Sequence, residues 1–160
     1  MEHRGRAQVA LPTEREIVIT RTFDAPRTLV FDLWTNAEHV AHWWDPSGVP
    51  LAVCEIDLRP GGAFRFVHGR TGGTGHAFAG VYREIEPPSR LVFTTPSPSG
   101  AASTGTLAFS AVGEATLLTM TIACASRADR DALLAMRVDA GTVRTLDNLD
   151  EYLGTVRSGR

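Results

Sequence analysis

The chain has 160 residues, enough for one domain that buries roughly 70% of the surface its unfolded form would expose, so its core needs no disulfide or metal support. Sixteen Lys and Arg stand against 18 Asp and Glu, a formal charge of −2 with no long block of either sign, which gives no footing for a nucleic-acid or membrane-surface partner. Cys54 and Cys124 form no Cys-x-x-Cys pair, and no secretory segment or run near the ~18 apolar residues of a membrane span occurs, so a reduced, soluble, cytoplasmic protein is expected.

Residues 1–14 mix charge, Gly and Ala without periodicity and read as a flexible leader, and residues 15–157 read as a single domain. Glu16 to Phe23 alternates Ile17, Ile19 and Arg21 against Val18, Thr20 and Thr22, the pattern of a strand. Asp24-Ala25-Pro26 then opens a helix, with Asp24 as cap and Leu29, Val30, Leu33 and Trp34 on its buried face. Thr35-Asn36-Ala37-Glu38 has the spacing of a capping box, which starts a second short helix ending near Trp44. Pro46, Gly48 and Pro50 stop it, and Leu51 to Asp57 reads as a second strand. The turn Arg59-Pro60-Gly61-Gly62 leads to a third strand, Ala63 to Gly69, with Phe64, Phe66 and His68 on one face.

Arg70 to Gly75 is a glycine-rich connection, and His76 to Glu86 a long fourth strand presenting Phe78, Gly80, Tyr82 and Glu84 on one side. Gly80 suggests a bulge or bend. Pro87-Pro88 breaks the ladder, Arg90 to Thr95 is the fifth strand, and Gly105 to Ala111 pairs with Ala115 to Ala123 around Gly113-Glu114. Ser126 and Asp129 cap a helical segment with Leu133, Leu134 and Met136, and Gly141 marks a break before the last helix, Asp139 to Arg157. There Thr142, Leu146, Leu149 and Leu153 recur at helical spacing, flanked by Val143 and Tyr152. Strands joined by short turns imply an antiparallel meander. The expected fold is α+β: a curved antiparallel sheet of about seven strands wrapped around the C-terminal helix, with two short helices after the first strand and a cavity between sheet and helix.

This order resembles the helix-grip superfamily of START domains, plant allergens and polyketide cyclases. The closer resemblance is to the branch named after the activator of the ninety-kilodalton heat-shock protein's ATPase. It rests on Phe23-Asp24-Ala25-Pro26, the Trp43-Trp44 pair followed by Pro46 and Gly48, Asp57-Leu58-Arg59-Pro60-Gly61-Gly62, Tyr82 to Val92, and Leu146 to Leu153. Bacterial relatives commonly place Trp after the glycine of the last helix, whereas here Thr142 and Val143 follow Gly141, which alters the space under the helix. The resemblance implies the fold more firmly than an activity.

The ligand-binding candidates are Trp34, Trp44, Phe64, Phe66, His68, Phe78, Tyr82, Met136, Thr142 and Leu146, a mostly aromatic set suited to a small hydrophobic molecule. The same rings would equally fill a core, and the tryptophan pair would equally fasten the second helix to the sheet. Adjacent helical residues point about 100° apart, so Trp43 and Trp44 cannot do the same job. His68 and Tyr82 are the candidates for proton transfer, since imidazole titrates near neutrality and phenol can donate to an enolate. His39 and His42, with Asp45 three further on, read as solvent-facing instead of metal-binding. Gly72-Gly73-Thr74-Gly75 joins two strands and lacks the ending of a phosphate loop, and Arg59 reads as structural. No cofactor and no metal is expected. The leading expectation is binding, transport or sensing of a small hydrophobic ligand. Behind it stand a cyclase- or dehydratase-like enzyme on a polyketide-type substrate, and a chaperone-activating interaction module; a weak homodimer is also entertained.

Overall fold

The computed structural model describes residues 7–69, 77–97 and 99–157. The glycine-rich run 72–75, His76 and most of the expected leader's start lie outside them. One sheet holds eight strands, every neighbouring pair antiparallel: β1 (Gln8–Ala10), β2 (Glu16–Phe23), β3 (Val53–Ile56), β4 (Ala63–Val67), β5 (Ala77–Glu86), β6 (Arg90–Pro96), β7 (Ala102–Val112) and β8 (Ala115–Ala123). Their order is β1-β2-β8-β7-β6-β5-β4-β3, so β3 to β8 form the expected meander and β2 closes onto its end. The helices are α1 (Arg27–Thr35), α2 (Ala37–Trp43), α3 (Arg127–Ala135) and α4 (Val138–Arg157). With its curved sheet and long last helix this is the helix-grip architecture. Among the described residues no helix is long and apolar enough to cross a membrane.

The strand pattern sets the inner face. In β2, Ile17, Ile19, Arg21 and Phe23 are buried while their alternates are half-exposed, and Leu107, Phe109, Leu118 and Met120 continue the same layer on β7 and β8. On the other side of the sheet's span Phe64 and Phe66 of β4 join it, which fixes the phenylalanine parity inward. α4 buries Thr145, Leu146, Leu149 and Leu153, and it packs against β2, α2 and α3. Arg21, buried on β2, reaches that helix: its guanidinium lies 2.6 Å from Asp147 and 3.5 Å from Asp150, with the ring of Phe23 5.3 Å away.

Several local expectations change. Residues 8–10 of the expected leader are an edge strand, because Gln8, Val9 and Ala10 pair with Thr20, Ile19 and Val18. α1 has Pro26 at its N-cap position, with no side-chain cap bond from that residue. Asn36, not Thr35, caps α2, accepting from the Glu38 amide at 3.0 Å, while the Thr35 hydroxyl bonds back to the Phe31 carbonyl. The Ser126 cap stands as expected, accepting from the Asp129 amide. The break before α4 falls at Arg137, whose φ is 61°, and Gly141 lies inside the helix. The bend sought at Gly80 is a register shift between Tyr82 and Glu84 in the β5–β6 pair. Gly80 answers a different need: a Cβ there would sit 2.4 Å from the Thr94 carbonyl oxygen and 2.7 Å from the Phe64 ring.

Candidate functional site

The aromatic residues assemble into one row across the inner face. Tyr82 and Phe64 have ring centroids 5.2 Å apart, Phe64 and Phe66 5.4 Å, and Phe64 and Phe78 5.5 Å. Trp44 then caps the row, 5.2 Å from Phe66 and 5.1 Å from Phe78 in a stacked arrangement, and His68 follows it at 5.8 Å. The register explains the grouping. Phe66 faces Phe78 and Phe64 faces Gly80, so the glycine leaves room for a ring where a second side chain would collide. Gly105 does the same for Phe93, which stands opposite it in the β6–β7 pair and is 5.4 Å from Phe64.

Inside this row is a cavity of ≈ 30 Å³ whose wall includes Trp34, Val40, Trp44, Phe64, Phe66, Phe78, Tyr82, Leu91, Phe93 and Leu107. It lies between the sheet and the α1–α2 pair, not under α4 as expected. The reason is that α4 is drawn toward β2 by Arg21 and buries its stripe in the core. Of the sequence candidates, Trp34, Trp44, Phe64, Phe66, Phe78 and Tyr82 come together on this wall. Leu146 is fully buried on α4, Thr142 is half-buried there, and Met136 is 64% exposed at the end of α3, so none of these three belongs to it. His68 stands beyond Trp44, outside the wall.

The two tryptophans divide as their geometry requires. Trp43 is fully buried, donates its Nε1–H to the Leu33 carbonyl at 3.0 Å and meets Trp34 edge-on at 4.8 Å, so it fastens α2 to the end of α1. Trp44, half-buried, faces the cavity. Trp34 contributes a further feature: its Nε1 is buried and without a hydrogen-bond partner among the described residues. Such a donor costs free energy until something accepts from it.

His68 and Tyr82 share a face but not a place. Tyr82 pairs with Gly61 and Gly62, six residues from His68 along β4, roughly 20 Å at ~3.3 Å per residue. The expected proton-transfer pair is therefore not assembled. The Tyr82 phenol is pushed well above its ordinary range by burial and by neighbouring Cys54, and burial raises the Cys54 thiol to about 11. Both stay protonated near neutrality, so neither is an anionic nucleophile.

His68 has instead a partner that the sequence reading did not connect with it, Asp45. Its Nδ1 is 2.8 Å from Oδ2 of Asp45, whose side chain is 1% exposed. Asp45 also accepts from the Ser47 amide and hydroxyl, both at 2.9 Å. Burial alone would raise the Asp45 pKa, but these bonds outweigh it, and the net direction is downward from 3.8. A depressed folded-state value means a stabilisation present above the unfolded value and lost as pH falls through the folded one. Wild-type stability should fall as pH drops below about 4, and Asp45→Asn should flatten that limb; urea unfolding across pH 2–7 measures both. Equal slopes in the two proteins would remove Asp45 from the account. The one local sign of this residue is Asp-Pro-Ser, an Asx-type turn; its contact with His68 spans 23 residues.

His42 is exposed, as expected, whereas His39 is half-buried. His39 Nδ1 is 2.7 Å from the Tyr152 hydroxyl and its Nε2 3.5 Å from Asp32, and exposed His42 stacks on the Tyr152 ring at 5.5 Å, so the pair seals α2 against α4. Arg59 is an exposed turn residue bonded to Asp57. Among the described residues no group of three or more His, Cys, Asp or Glu is arranged for a metal.

The sequence profile described as "Activator of Hsp90 ATPase homolog 1-like protein" matches residues 24–154. No curated protein matches at a significant level. Among solved structures, a protein from Nitrosomonas europaea is similar at TM-score 0.82 and 23% identity, over 92% of this chain and 99% of its own. CalU16 from Micromonospora echinospora is similar at TM-score 0.67 and 25% identity, over 91% and 85%. An HSP90 activator from Plasmodium falciparum is similar at TM-score 0.67 and 23% identity, over 88% and 96%.

Proposed function

The chain belongs to the family of Activator of Hsp90 ATPase homolog 1-like proteins, and from that premise we propose that it binds a small, uncharged, largely hydrophobic molecule carrying a hydrogen-bond-accepting oxygen, in the cavity between the sheet and α1–α2. The observation that carries this reading is the unpartnered Trp34 Nε1–H on an aromatic wall. The polar side-chain atoms that this wall supplies are two indole N–H groups and one phenol, with no charged side chain, so a carboxylate or ammonium would be desolvated without a counter-charge. At ≈ 30 Å³ the closed cavity has room for about one water and for no organic molecule. Ligand sites generally measure about 300–1,000 Å³, so occupancy requires the rings to part.

Native mass spectrometry against the denatured mass, then titration with Prodan, an uncharged fluorescent naphthyl ketone, tests the proposal. Trp34→Phe keeps an aromatic ring, smaller than indole, and removes the donor. It should weaken Prodan binding about tenfold, the ~1–1.5 kcal/mol of one hydrogen bond, and leave the affinity for pyrene, which has no acceptor, unchanged. A bare native mass together with no Prodan binding would sink the reading.

A second reading, proton transfer of the cyclase or dehydratase type, is supported by the Asp45–His68 contact, since a buried carboxylate on Nδ1 fixes the imidazole tautomer. It predicts turnover lost in His68→Gln with ligand affinity kept.

A further inference from the structure

We propose that Trp44–Gly48 is a gate over the aromatic cavity, held shut by a catch made of His68 at the end of β4 and Thr145 and Asn148 on α4; this rests on the cavity's being the ligand site. The closed cavity is too small for any organic ligand, so some part of its wall must move. The wall residues Phe64, Phe66, Phe78, Tyr82, Leu91, Phe93 and Leu107 are on the four contiguous strands β4 to β7, and Trp34 and Val40 lie within helices tied to the core. Trp44 differs: it is the C-cap of α2, where the regular backbone ends.

The chain beyond it is built to turn. Gly48 has φ 84°, with open space around it, and Pro46 and Pro50 bracket it. Past Gly48 the path is anchored again: Pro50 packs its carbonyl against Gly69, where a Cβ would come within 1.9 Å, and the Ala52 amide bonds to the Val67 carbonyl. The movable stretch is thus bounded on both sides, by α2 and by the start of β3.

Apart from the contacts of the Trp44 ring with Phe66 and Phe78, three polar bonds tie it to His68 and α4. The Thr145 hydroxyl donates to the Trp44 carbonyl at 3.0 Å, Asn148 Nδ2 donates to the Asp45 carbonyl at 2.8 Å, and His68 holds the Asp45 carboxylate at 2.8 Å. On α4, a Cβ added at Gly141 would lie 3.9 Å from the Pro46 ring, an ordinary van der Waals distance. His68, which stands outside the wall, and α4, which supplies none of the lining residues, therefore hold the stretch that covers the cavity. Releasing them lets the Trp44 indole leave Phe66 and Phe78, adding the volume of one bicyclic ring and exposing the stacked faces to a planar ligand.

Stopped-flow binding of Prodan is the test. In the wild type the observed rate should level off with Prodan concentration, because opening limits entry. Asn148→Ala and His68→Ala should each raise that plateau about tenfold, and Arg59→Ala, on a distant turn, should not change it. Asn148→Ala removes a single bond and keeps the experiment decisive if His68→Ala, which leaves the Asp45 carboxylate without the imidazole, does not fold. Binding with no plateau, or with a plateau that neither variant moves, overturns the gate while the ligand site stands. Failure of Prodan to bind either wild type or Asn148→Ala overturns the ligand site and the gate with it.

Discussion

Trp43→Ala should lower the free energy of unfolding by about 3–5 kcal/mol, a large part of the roughly 5–15 kcal/mol that a domain generally has. The side chain is fully buried, and truncating it opens a void between α1 and α2 that the surrounding strands cannot collapse into. It also frees the Leu33 carbonyl, which at the end of α1 has the Trp43 indole as its partner. Urea unfolding read by far-UV circular dichroism gives the value. Trp44→Ala is the comparison: it removes an equally large ring that is half-exposed and already borders a void, and it should cost clearly less while altering Prodan binding. A cost for Trp43→Ala below about 1 kcal/mol would mean that the tryptophan does not fasten the helices.

The second large effect is an asymmetry at Arg21. Its side chain is 3% exposed while those of Asp147 and Asp150 are 55% and 45% exposed, so the cation bears nearly all the desolvation. Removing both carboxylates strands a buried charge, and Asp147→Ala combined with Asp150→Ala should cost about 3–5 kcal/mol. Replacing the cation with an apolar chain of similar length strands nothing, and Arg21→Met should lie near neutral. The Arg21 Nε is itself buried without a partner among the described residues, which adds to the expected tolerance of Arg21→Met. The same urea experiment decides. If Arg21→Met is as damaging as the double carboxylate variant, the pair is a true contributor to stability and not a device that sets the position of α4.

Much of the fold is written in periodicity. Alternation on β2 and β4 gives the inward parity of Ile17, Ile19, Phe64 and Phe66, and the spacing of Leu146, Leu149 and Leu153 gives α4. The phase of that helix was harder to read, since Thr145 is buried and Thr142 only partly so, and threonine fits either environment. β1 has only three residues, all exposed, and its existence depends on an edge of β2 that no local pattern announces. The site divides along the same line. Parity groups the rings, but it does not tell how far apart His68 and Tyr82 lie along the strands, nor that Asp45 turns inward to meet His68. Which helix covers which part of the sheet likewise depends on Arg21 and two aspartates more than a hundred residues away.

The rings laid against glycines give the protein a built-in spectroscopic reporter. Phe93 stands so close to Gly105 that a Cβ there would come within 2.4–2.9 Å of three ring carbons, and the tip of the Phe64 ring would come within 2.7 Å of a Cβ at Gly80. Aromatic ring currents shift protons close to a ring, so the α-protons of these two glycines should resonate away from ordinary glycine positions. Any event that tilts Phe64 or Phe93, whether a ligand entering beside them or Trp44 moving away, changes that shift at once. Two glycine cross-peaks thus read out the state of the cavity without a label or a probe molecule.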